Sequence, residues 1–221
     1  IRSSGTKVTS QASVGTVRLK FQAFFNRLLV AGIRRFSALF VDRLEHIFNL
    51  IGVSLTKPYK RVGASYGHES RKVIFLGDFI DRGPHQRRAL DVAQTMVASG
   101  AALAVMGNHE FNAIAFHTPD GNGGYLRPRN SKNTHQHQAF LDEFADQPDA
   151  WREAIDWFKS LPLWLDLDGL RVVHACWDPV HISQISHSYG DGARLTDELL
   201  HDASRSGTWQ YHAVETLLTG K

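Results

Sequence analysis

The chain has 221 residues, of which 43% are hydrophobic and 21% are charged, a composition typical of a globular protein and not of a disordered or collagen-like chain. Its single cysteine, Cys176, excludes an internal disulfide framework, and no run of residues reaches the length of an apolar membrane span. The net charge of +3 arises in residues 1–41, which contain seven basic side chains and no acidic one. The remainder is mildly acidic, so the overall charge does not indicate a nucleic-acid-binding protein.

The first predicted segment, residues 1–52, differs in composition from the rest. Residues 1–16 are rich in serine, threonine and glycine, and residues 17–51 combine apolar side chains with interspersed arginines. This basic amphipathic pattern leaves a targeting peptide or a membrane-surface helix open, although an atypical packing helix is the simpler interpretation. We treat residues 1–52 as an atypical N-terminal segment and residues 53–221 as the main domain.

A strand–helix–strand unit is predicted next. Residues 72–76 form a short apolar run suited to a buried strand, residues 85–99 have apolar side chains at helical spacing, and residues 102–106 form a second buried strand. Two strands joined by a helix within so short a stretch lie parallel, with a right-handed crossover. The unit predicts an α/β fold.

The elements predicted after this unit are a polar loop, two helices, a hairpin and a helical tail. In chain order they cover residues 117–135, 136–146, 149–159, 163–174 and 193–219. Glycine and asparagine mark the loop, the turn pair Asp168-Gly169 marks the hairpin, and Gly207 interrupts the helical tail. We expect residues 111–160 to form a helical cap or lid.

Polar side chains follow three of the predicted strands. Asp78 comes after the first strand, Asn108 after the second and His174 after the last. The carboxyl ends of neighbouring strands meet at one edge of an α/β sheet, where ligands bind. A carboxylate, an amide oxygen and an imidazole suit Mn²⁺, Fe or Zn²⁺ better than Ca²⁺. The three side chains therefore predict a transition-metal site.

Two motifs and this histidine resemble those of a known family. GDFIDRG occupies residues 77–83, GNHE occupies residues 107–110, and His174 ends a strand. Together they resemble the calcineurin-like metallophosphoesterase superfamily, and within it the phosphoprotein-phosphatase branch and bacterial relatives that cleave dinucleoside polyphosphates. The resemblance covers residues 53–205. It implies an α/β fold of the metallophosphoesterase type, a β-sandwich flanked by helices.

The resemblance implies a dinuclear metal centre. Asp78 would bridge two divalent ions (Mn, Fe or Zn), and Asn108 and His174 would ligate the second one. The two ions would activate a hydroxide that hydrolyses a phosphate ester or anhydride, with a phosphoprotein or a dinucleoside polyphosphate as substrate. We expect this phosphorylated substrate as the partner, no nucleic acid, no membrane span, and a cytoplasmic location with manganese as the metal.

The resemblance also implies catalytic and substrate-binding residues. His109 would act as the general acid toward the leaving oxygen, and Asp81 would hold the His109 ring in the required tautomer. Arg82 would grip the phosphate, because a guanidinium offers parallel donors to phosphate oxygens. Arg127 and Arg129 in the polar loop are further candidates for a phosphate contact.

Two motifs of the family pattern have no evident counterpart. No Asp-x-His precedes Asp78, and the nearest substitute, Asp42 with His46, stands at i and i+4 of a predicted helix. No late histidine after His174 is in a strand-like context. Four later histidines are expected at the surface, namely His181, His187, His201 and His212. We therefore expect a domain that is incomplete at both ends and that retains ligands for one metal ion and not for two.

Two functions stay open. The first is a metal-dependent phosphoesterase, which the two matched motifs favour. The second is a truncated or degenerate family member that binds phosphate or a partner without hydrolysis, which the missing Asp-x-His favours.

Three further side chains carry weaker signals. The pair His135 and His137 has metal-ligand spacing but is predicted to be exposed in the polar loop. Cys176 is predicted to be a buried structural thiol. Glu110 is expected either to support the metal centre or to cap the helix that follows it.

Overall fold

The structure, a computed structural model, describes residues 59–63, 65–69, 71–190 and 194–221, and the backbone of the strand Leu28–Leu29. The predicted N-terminal segment lies outside the described residues apart from this strand, and so do Asp42 and His46. Within the described ranges, no helix is long and apolar enough to cross a membrane.

The described strands form three small sheets. In chain order the strands are β1 (Leu28–Leu29), β2 (Lys60–Val62), β3 (Ser65–Gly67), β4 (Lys72–Phe75), β5 (Ala102–Ala104), β6 (Trp164–Leu167) and β7 (Leu170–Val173). Strands β1, β4 and β5 lie side by side in parallel, while β2–β3 and β6–β7 are antiparallel pairs. The hairpin predicted across Asp168-Gly169 is confirmed as β6–β7.

Seven helices occur in the described residues. They are α1 (Gln86–Ala98), α2 (Asn108–His117), α3 (Ser131–Glu143), α4 (Pro148–Ser160), α5 (Pro179–Tyr189), α6 (Asp197–Ala203) and α7 (Trp209–Thr219). The range predicted as a helical cap contains α3, α4 and most of α2. The domain boundary at residue 53 stays a prediction.

Helix caps explain two differences from the sequence prediction. Helix α3 begins at Ser131, inside the predicted loop, because the Asn130 side chain accepts a hydrogen bond from the Asn133 N–H. Helix α5 was not predicted at all. It begins at Pro179, which fits the first helical position, and the Asp178 side chain caps it.

The unit β4–α1–β5 has the predicted parallel arrangement. Val73 lies opposite Ala102 and Phe75 opposite Ala104. Helix α1 packs against the sheet through buried apolar side chains, among them Leu90 and Met96, each of which contributes about 1.5–3 kcal/mol when fully buried. The mixed helix and strand architecture confirms the α/β class.

Strand β4 separates two hydrophobic clusters. Val73 and Phe75 belong to the main core, which the helices cover, whereas Ile74 points to the opposite face because side chains alternate along a strand. On that face Ile74 packs with Val105 and with Val172 of the β6–β7 hairpin. The small parallel sheet is therefore covered by helices on one side and by a second sheet on the other.

Candidate functional site

The chain segments that follow β4 and β5 are in direct backbone contact. Gly77 has a φ of +82°, and a Cβ on it would lie 2.2 Å from the Gly107 nitrogen. A Cβ on Gly107 would in turn lie 2.5 Å from Asp78 Oδ1. Only glycine fits at these two positions, and the contact brings the two sequence motifs together.

Glu110 joins the same two segments. It is fully buried, its Oε2 accepts hydrogen bonds from the N–H groups of Asp78 (2.8 Å) and Gly107 (2.9 Å), and its Oε1 accepts from Phe79 (2.8 Å). Burial and the negative charge of Asp78 raise the pKa of Glu110 to about 7. Glu110 therefore caps α2, one of the two roles left open by the sequence, through its bond to the Gly107 N–H, and its other bonds hold the Asp78 segment.

Asp78 and His174 lie together at this edge of the sheet. Asp78 Oδ1 is 3.5 Å from His174 Nε2. His174 Nδ1 donates a hydrogen bond to the backbone oxygen of Leu76, which leaves the lone pair on Nε2, the nitrogen near Asp78. A carboxylate oxygen and a ring nitrogen are thus placed as two ligands of one cation would be.

Asn108, the third predicted metal ligand, is the first residue of α2 and follows Gly107. The N–H of the next residue, His109, points to Asp78 Oδ1 at 3.5 Å. Asp78 and Asn108 therefore follow the parallel strands β4 and β5, whereas His174 comes from the separate β6–β7 sheet and approaches Asp78 from there. In the described part of the chain, no group of three or more His, Cys, Asp or Glu side chains has the geometry of a metal site. The mixed set of carboxylate, imidazole and amide fits one divalent ion with an open ligand shell.

His109 and Asp81 form a hydrogen-bonded pair beside this edge. His109 Nδ1 donates to Asp81 Oδ2 at 2.8 Å, so Nε2 is the ring nitrogen available for proton transfer. Burial alone would lower the pKa of His109, but the hydrogen bond to Asp81 and the charges of Asp78, Asp81 and Glu110 raise it above its ordinary value. The geometry suits a protonated imidazole that acts as a general acid.

Asp81 is held from several sides. Its backbone, at a φ of +67°, donates from N–H to Gln86 Oε1 at 2.7 Å, and its Oδ1 accepts from His137 Nδ1 at 2.7 Å. Burial alone would raise the pKa of Asp81, but hydrogen bonds from His109 and His137 and the charges of these rings lower it. The carboxylate is therefore ionised and oriented.

The prediction that His137 is exposed in a loop is wrong. Helix α3 includes His137 and buries it to 4% exposure, while its neighbour His135 is exposed. The signal for an inward orientation was in the sequence, because Phe140 and Phe144 follow His137 at helical spacing and are buried with it. His137 is the site residue that sequence reasoning missed.

A cavity of about 370 Å³ opens in front of this pair, and His109, Arg82 and Arg127 all line it. Arg82 is exposed, whereas Arg127 is partly buried, and burial lowers the pKa of Arg127. The Arg127 guanidinium donates to Asn112 Oδ1 and, at 2.8 Å, to Gln136 Oε1. Among the described residues no carboxylate forms an ion pair with Arg127, so its charge is available to an anion in the cavity.

Arg129 contacts aromatic side chains next to the loop between α2 and α3. Its guanidinium is 3.4 Å from the ring centroid of Tyr125 and 5.0 Å from that of Phe116, and its Nε donates to the Phe116 oxygen at 3.1 Å. These contacts fasten the loop between α2 and α3. Of the two loop arginines, only Arg127 is among the described residues that line the cavity.

The remaining sequence signals fall outside the site. Cys176 is exposed, so the prediction of a buried thiol is wrong; the strand β7 ends before it, and the chain leaves the sheet toward α5. The four late histidines are all at least partly exposed, as expected: His181, His187, His201 and His212. None of them joins a metal-binding cluster within the described residues.

Comparison with known proteins supplies one match. The sequence pattern that defines the family described as calcineurin-like phosphoesterase matches residues 41–215, a span that contains every residue of the site. No curated protein matches the chain.

Proposed function

Since the chain belongs to the calcineurin-like phosphoesterase family, we propose that it is a metal-dependent hydrolase of phosphate esters or anhydrides. One observation carries this proposal. His109 is hydrogen-bonded to a buried carboxylate and lines the same cavity as Arg82 and Arg127. The proton donor can protonate a leaving group, and the two cations can bind the oxygens of a phosphate in the same cavity.

Members of this family bind divalent metal ions. In this chain Asp78, Asn108 and His174 would hold one, since the Nδ1 bond to Leu76 fixes the His174 ring as second-shell partners fix other metal-binding histidines. A divalent ion there supplies Lewis acidity and lowers the pKa of a coordinated water. The family leads us to expect two ions bridged by Asp78, and the described residues contain no cluster of His, Cys, Asp or Glu that would complete the second one. Manganese as the metal and the cytoplasm as the location stay predictions.

The chain's own residues account for binding and proton transfer. Arg82 and Arg127 bind the phosphate oxygens, and His109 gives the proton on Nε2 to the leaving oxygen. Asp81 holds the ring so that Nδ1 keeps its proton and Nε2 faces the substrate.

Two arginines on one cavity favour a substrate with more than one anionic group. A dinucleoside polyphosphate carries several phosphates, whereas a phosphoprotein side chain carries one. A cavity of about 370 Å³ lies near the lower end of the range for small-molecule pockets. We therefore propose the dinucleoside polyphosphate before the phosphoprotein, and no nucleic acid as a partner.

The second candidate is a family member that binds phosphate without hydrolysing it. The ligand count favours this function, because the described residues supply Asp78, Asn108 and His174 and no further metal-binding cluster. Such a protein would keep Arg82 and Arg127 as its anion-binding residues.

Hydrolysis assays separate the two candidates. The purified chain with Mn²⁺ is offered p-nitrophenyl phosphate, a dinucleoside tetraphosphate and a phosphopeptide. We expect turnover of the tetraphosphate, a loss of about 10²–10⁴-fold in His109→Ala, and unchanged turnover in the control His187→Ala, whose side chain is exposed on α5. If the unmodified chain is no faster than His109→Ala on all three substrates, the hydrolase proposal is wrong and phosphate binding by calorimetry tests the second candidate.

A further inference from the structure

The carboxylate of Asp81 accepts hydrogen bonds from two imidazoles. His109 Nδ1 donates to Oδ2 at 2.8 Å, and His137 Nδ1 donates to Oδ1 at 2.7 Å. The proposed chemistry uses only the first of these bonds. The second comes from a different helix, α3, and is just as short, so the role of His137 requires its own explanation.

Counting donors assigns both ring protons to His137. Trp151 Nε1, which can only donate, lies 3.4 Å from His117 Nε2, so this His117 nitrogen is an acceptor. His137 Nε2 lies 3.1 Å from the same nitrogen, and the proton between the two rings therefore belongs to His137. His137 Nδ1 also carries a proton, because its partner is a carboxylate oxygen. Burial and the charge of His137 lower the pKa of His117 to about 3, which agrees with a neutral His117.

With protons on both ring nitrogens, His137 would provide Asp81 with a counter-ion on the side opposite His109. The side chains of Asp81 and His137 are both 5% exposed, and within the described residues no lysine or arginine forms an ion pair with Asp81. A buried carboxylate is tolerated only when it is paired and hydrogen-bonded. His137 meets both conditions and leaves Oδ2 for His109.

The ring of His137 is itself held rigidly. It stacks on Phe140 with ring centroids 4.8 Å apart and an interplanar angle of 18°, and Phe116 meets it edge-on at 5.1 Å. With this ring fixed, Asp81 Oδ1 is fixed as well, and the position of Oδ2 under His109 follows from it.

We propose that His137 is a positioning residue, whose doubly protonated ring holds Asp81 from the side opposite His109 and thereby sets the orientation of the proton-donating imidazole. The inference rests on the proposed function, in which His109 protonates the leaving group. It adds a third residue, from helix α3, to the pair supplied by the two sequence motifs.

The first test compares substrates whose leaving groups differ in their need for a proton. A nitrophenolate departs without one, whereas an alkoxide does not. We expect His137→Leu to lower kcat for an alkyl phosphate by about 10²-fold and to lower kcat for p-nitrophenyl phosphate far less. His137→Asn, whose amide can still donate to Asp81, should restore most of the lost rate.

A purely structural role would give a different result. Damage to the fold lowers kcat for both esters equally, and equal losses in His137→Leu, or no recovery in a folded His137→Asn, would overturn the proposal. The control is Gln138→Ala, which removes an exposed hydrogen bond to Asp142 on the same helix and should leave both rates unchanged.

The second test does not depend on turnover. Nitrogen NMR of the histidine rings in the metal-free full chain at pH 7 should show two protonated nitrogens on His137 and one on His117. An unprotonated Nε2 on His137 would overturn the proposal. If the unmodified chain hydrolyses neither ester, the proposed function fails, and this spectrum alone then decides whether His137 holds Asp81 as inferred.

Discussion

The two halves of the site differ in how completely the described residues build them. Under the proposed function, the proton-transfer half consists of Asp81, His109 and His137, and the metal-binding half consists of Asp78, Asn108 and His174. In the first half, side chains from three segments occupy both oxygens and the N–H of Asp81. In the second half, Asp78 and His174 face each other at 3.5 Å, and the described residues provide no cluster of three charged or thiol ligands.

Within the described residues, the hydrogen bonds around Asp81 are therefore more complete than the contacts around Asp78. The proton-transfer half is held by neutral and charged hydrogen bonds that need no added group. The metal-binding half places negative charge at the sheet edge, and the pKa of Glu110 rises to about 7 partly because Asp78 lies beside it. An added cation would relieve this repulsion.

The largest effect is expected from a substitution that removes a ligand of the metal-binding half. Asp78→Asn keeps the side-chain shape but removes the charge that would hold a divalent ion, and we expect turnover to fall by ~10³-fold or more. Elemental mass spectrometry of the desalted protein should show less bound Mn²⁺ than in the unmodified chain. The control is Asp91→Asn, exposed on α1. Unchanged metal content and turnover in Asp78→Asn would remove Asp78 from the metal-binding half.

The second prediction concerns the contact that joins the halves. Gly77→Ala places a Cβ 2.2 Å from the Gly107 nitrogen at a φ of +82°, and we expect the free energy of unfolding to fall by about 3 kcal/mol or more. Gly100→Ala is the matched control, since Gly100 has a φ of +72° but no atom within 4 Å of an added Cβ. It should cost only about 1 kcal/mol. Equal losses in urea unfolding would show that the two segments are not packed as described.

A smaller effect is expected at the cavity wall. Arg127→Gln removes a cation that binds phosphate oxygens, and a hydrogen bond to a charged group is worth about 1.5–3 kcal/mol. We expect KM for the dinucleoside tetraphosphate to rise about tenfold or more, with a smaller change in kcat. Arg152→Gln, which removes an exposed cation from α4, is the control. A KM that stays constant in Arg127→Gln would exclude Arg127 from substrate binding.

The smallest effect is expected at His117, whose ring contacts His137 on the side away from Asp81. His117 has a pKa lowered to about 3 by burial and by the charge of His137, so between pH 6.5 and 3 the unfolded chain binds a proton that the folded chain does not. The free energy of unfolding therefore falls as the pH is lowered through this range, by at most about 1.4 kcal/mol per pH unit. Solvent screening at the partly exposed ring reduces the pKa shift and so narrows the pH range over which this stability is lost.

His117→Gln separates this contribution from that of other groups. Glutamine keeps an acceptor for His137 and Trp151 but does not titrate. Urea unfolding at several pH values between 4.5 and 7 should give a shallower pH dependence in the variant. Identical pH dependences would mean that His117 binds its proton equally in the folded and the unfolded chain, and would contradict the lowered pKa.

Local sequence patterns were sufficient for the part of the fold that carries the motifs. The apolar runs of β4 and β5, the helical spacing of α1 and the turn pair Asp168-Gly169 each depend on a few neighbouring residues. Helix α5 was missed because only Ile185 is buried on it, so its apolar periodicity is weak. Its signal lies in the Asp178 cap and Pro179, which pattern reasoning did not weigh.

The site was predictable only as far as its residues follow strand ends. Asp78 and Asn108 lie at one sheet edge because the parallel strands β4 and β5 end together. His174 follows β7 of the antiparallel hairpin and approaches Asp78 from the second sheet. His137 could not be placed in this way, since its position depends on how α3 packs against Asp81 and Phe116. The spacing of His137, Phe140 and Phe144 predicts a shared helix face but not what that face touches.

The hydrogen bonds of the site differ in the sequence separation of the residues that they join, and hence in the length of the loop that each one closes. Asp81 reaches His109 across 28 positions and His137 across 56, whereas His174 reaches Leu76 across 98. Longer loops cost more entropy to close. The contact between Asp81 and His109 therefore closes the shortest of these loops, and the contact between His174 and Leu76 closes the longest. The proposed ligand set of Asp78, Asn108 and His174 is complete only once this longest loop has closed.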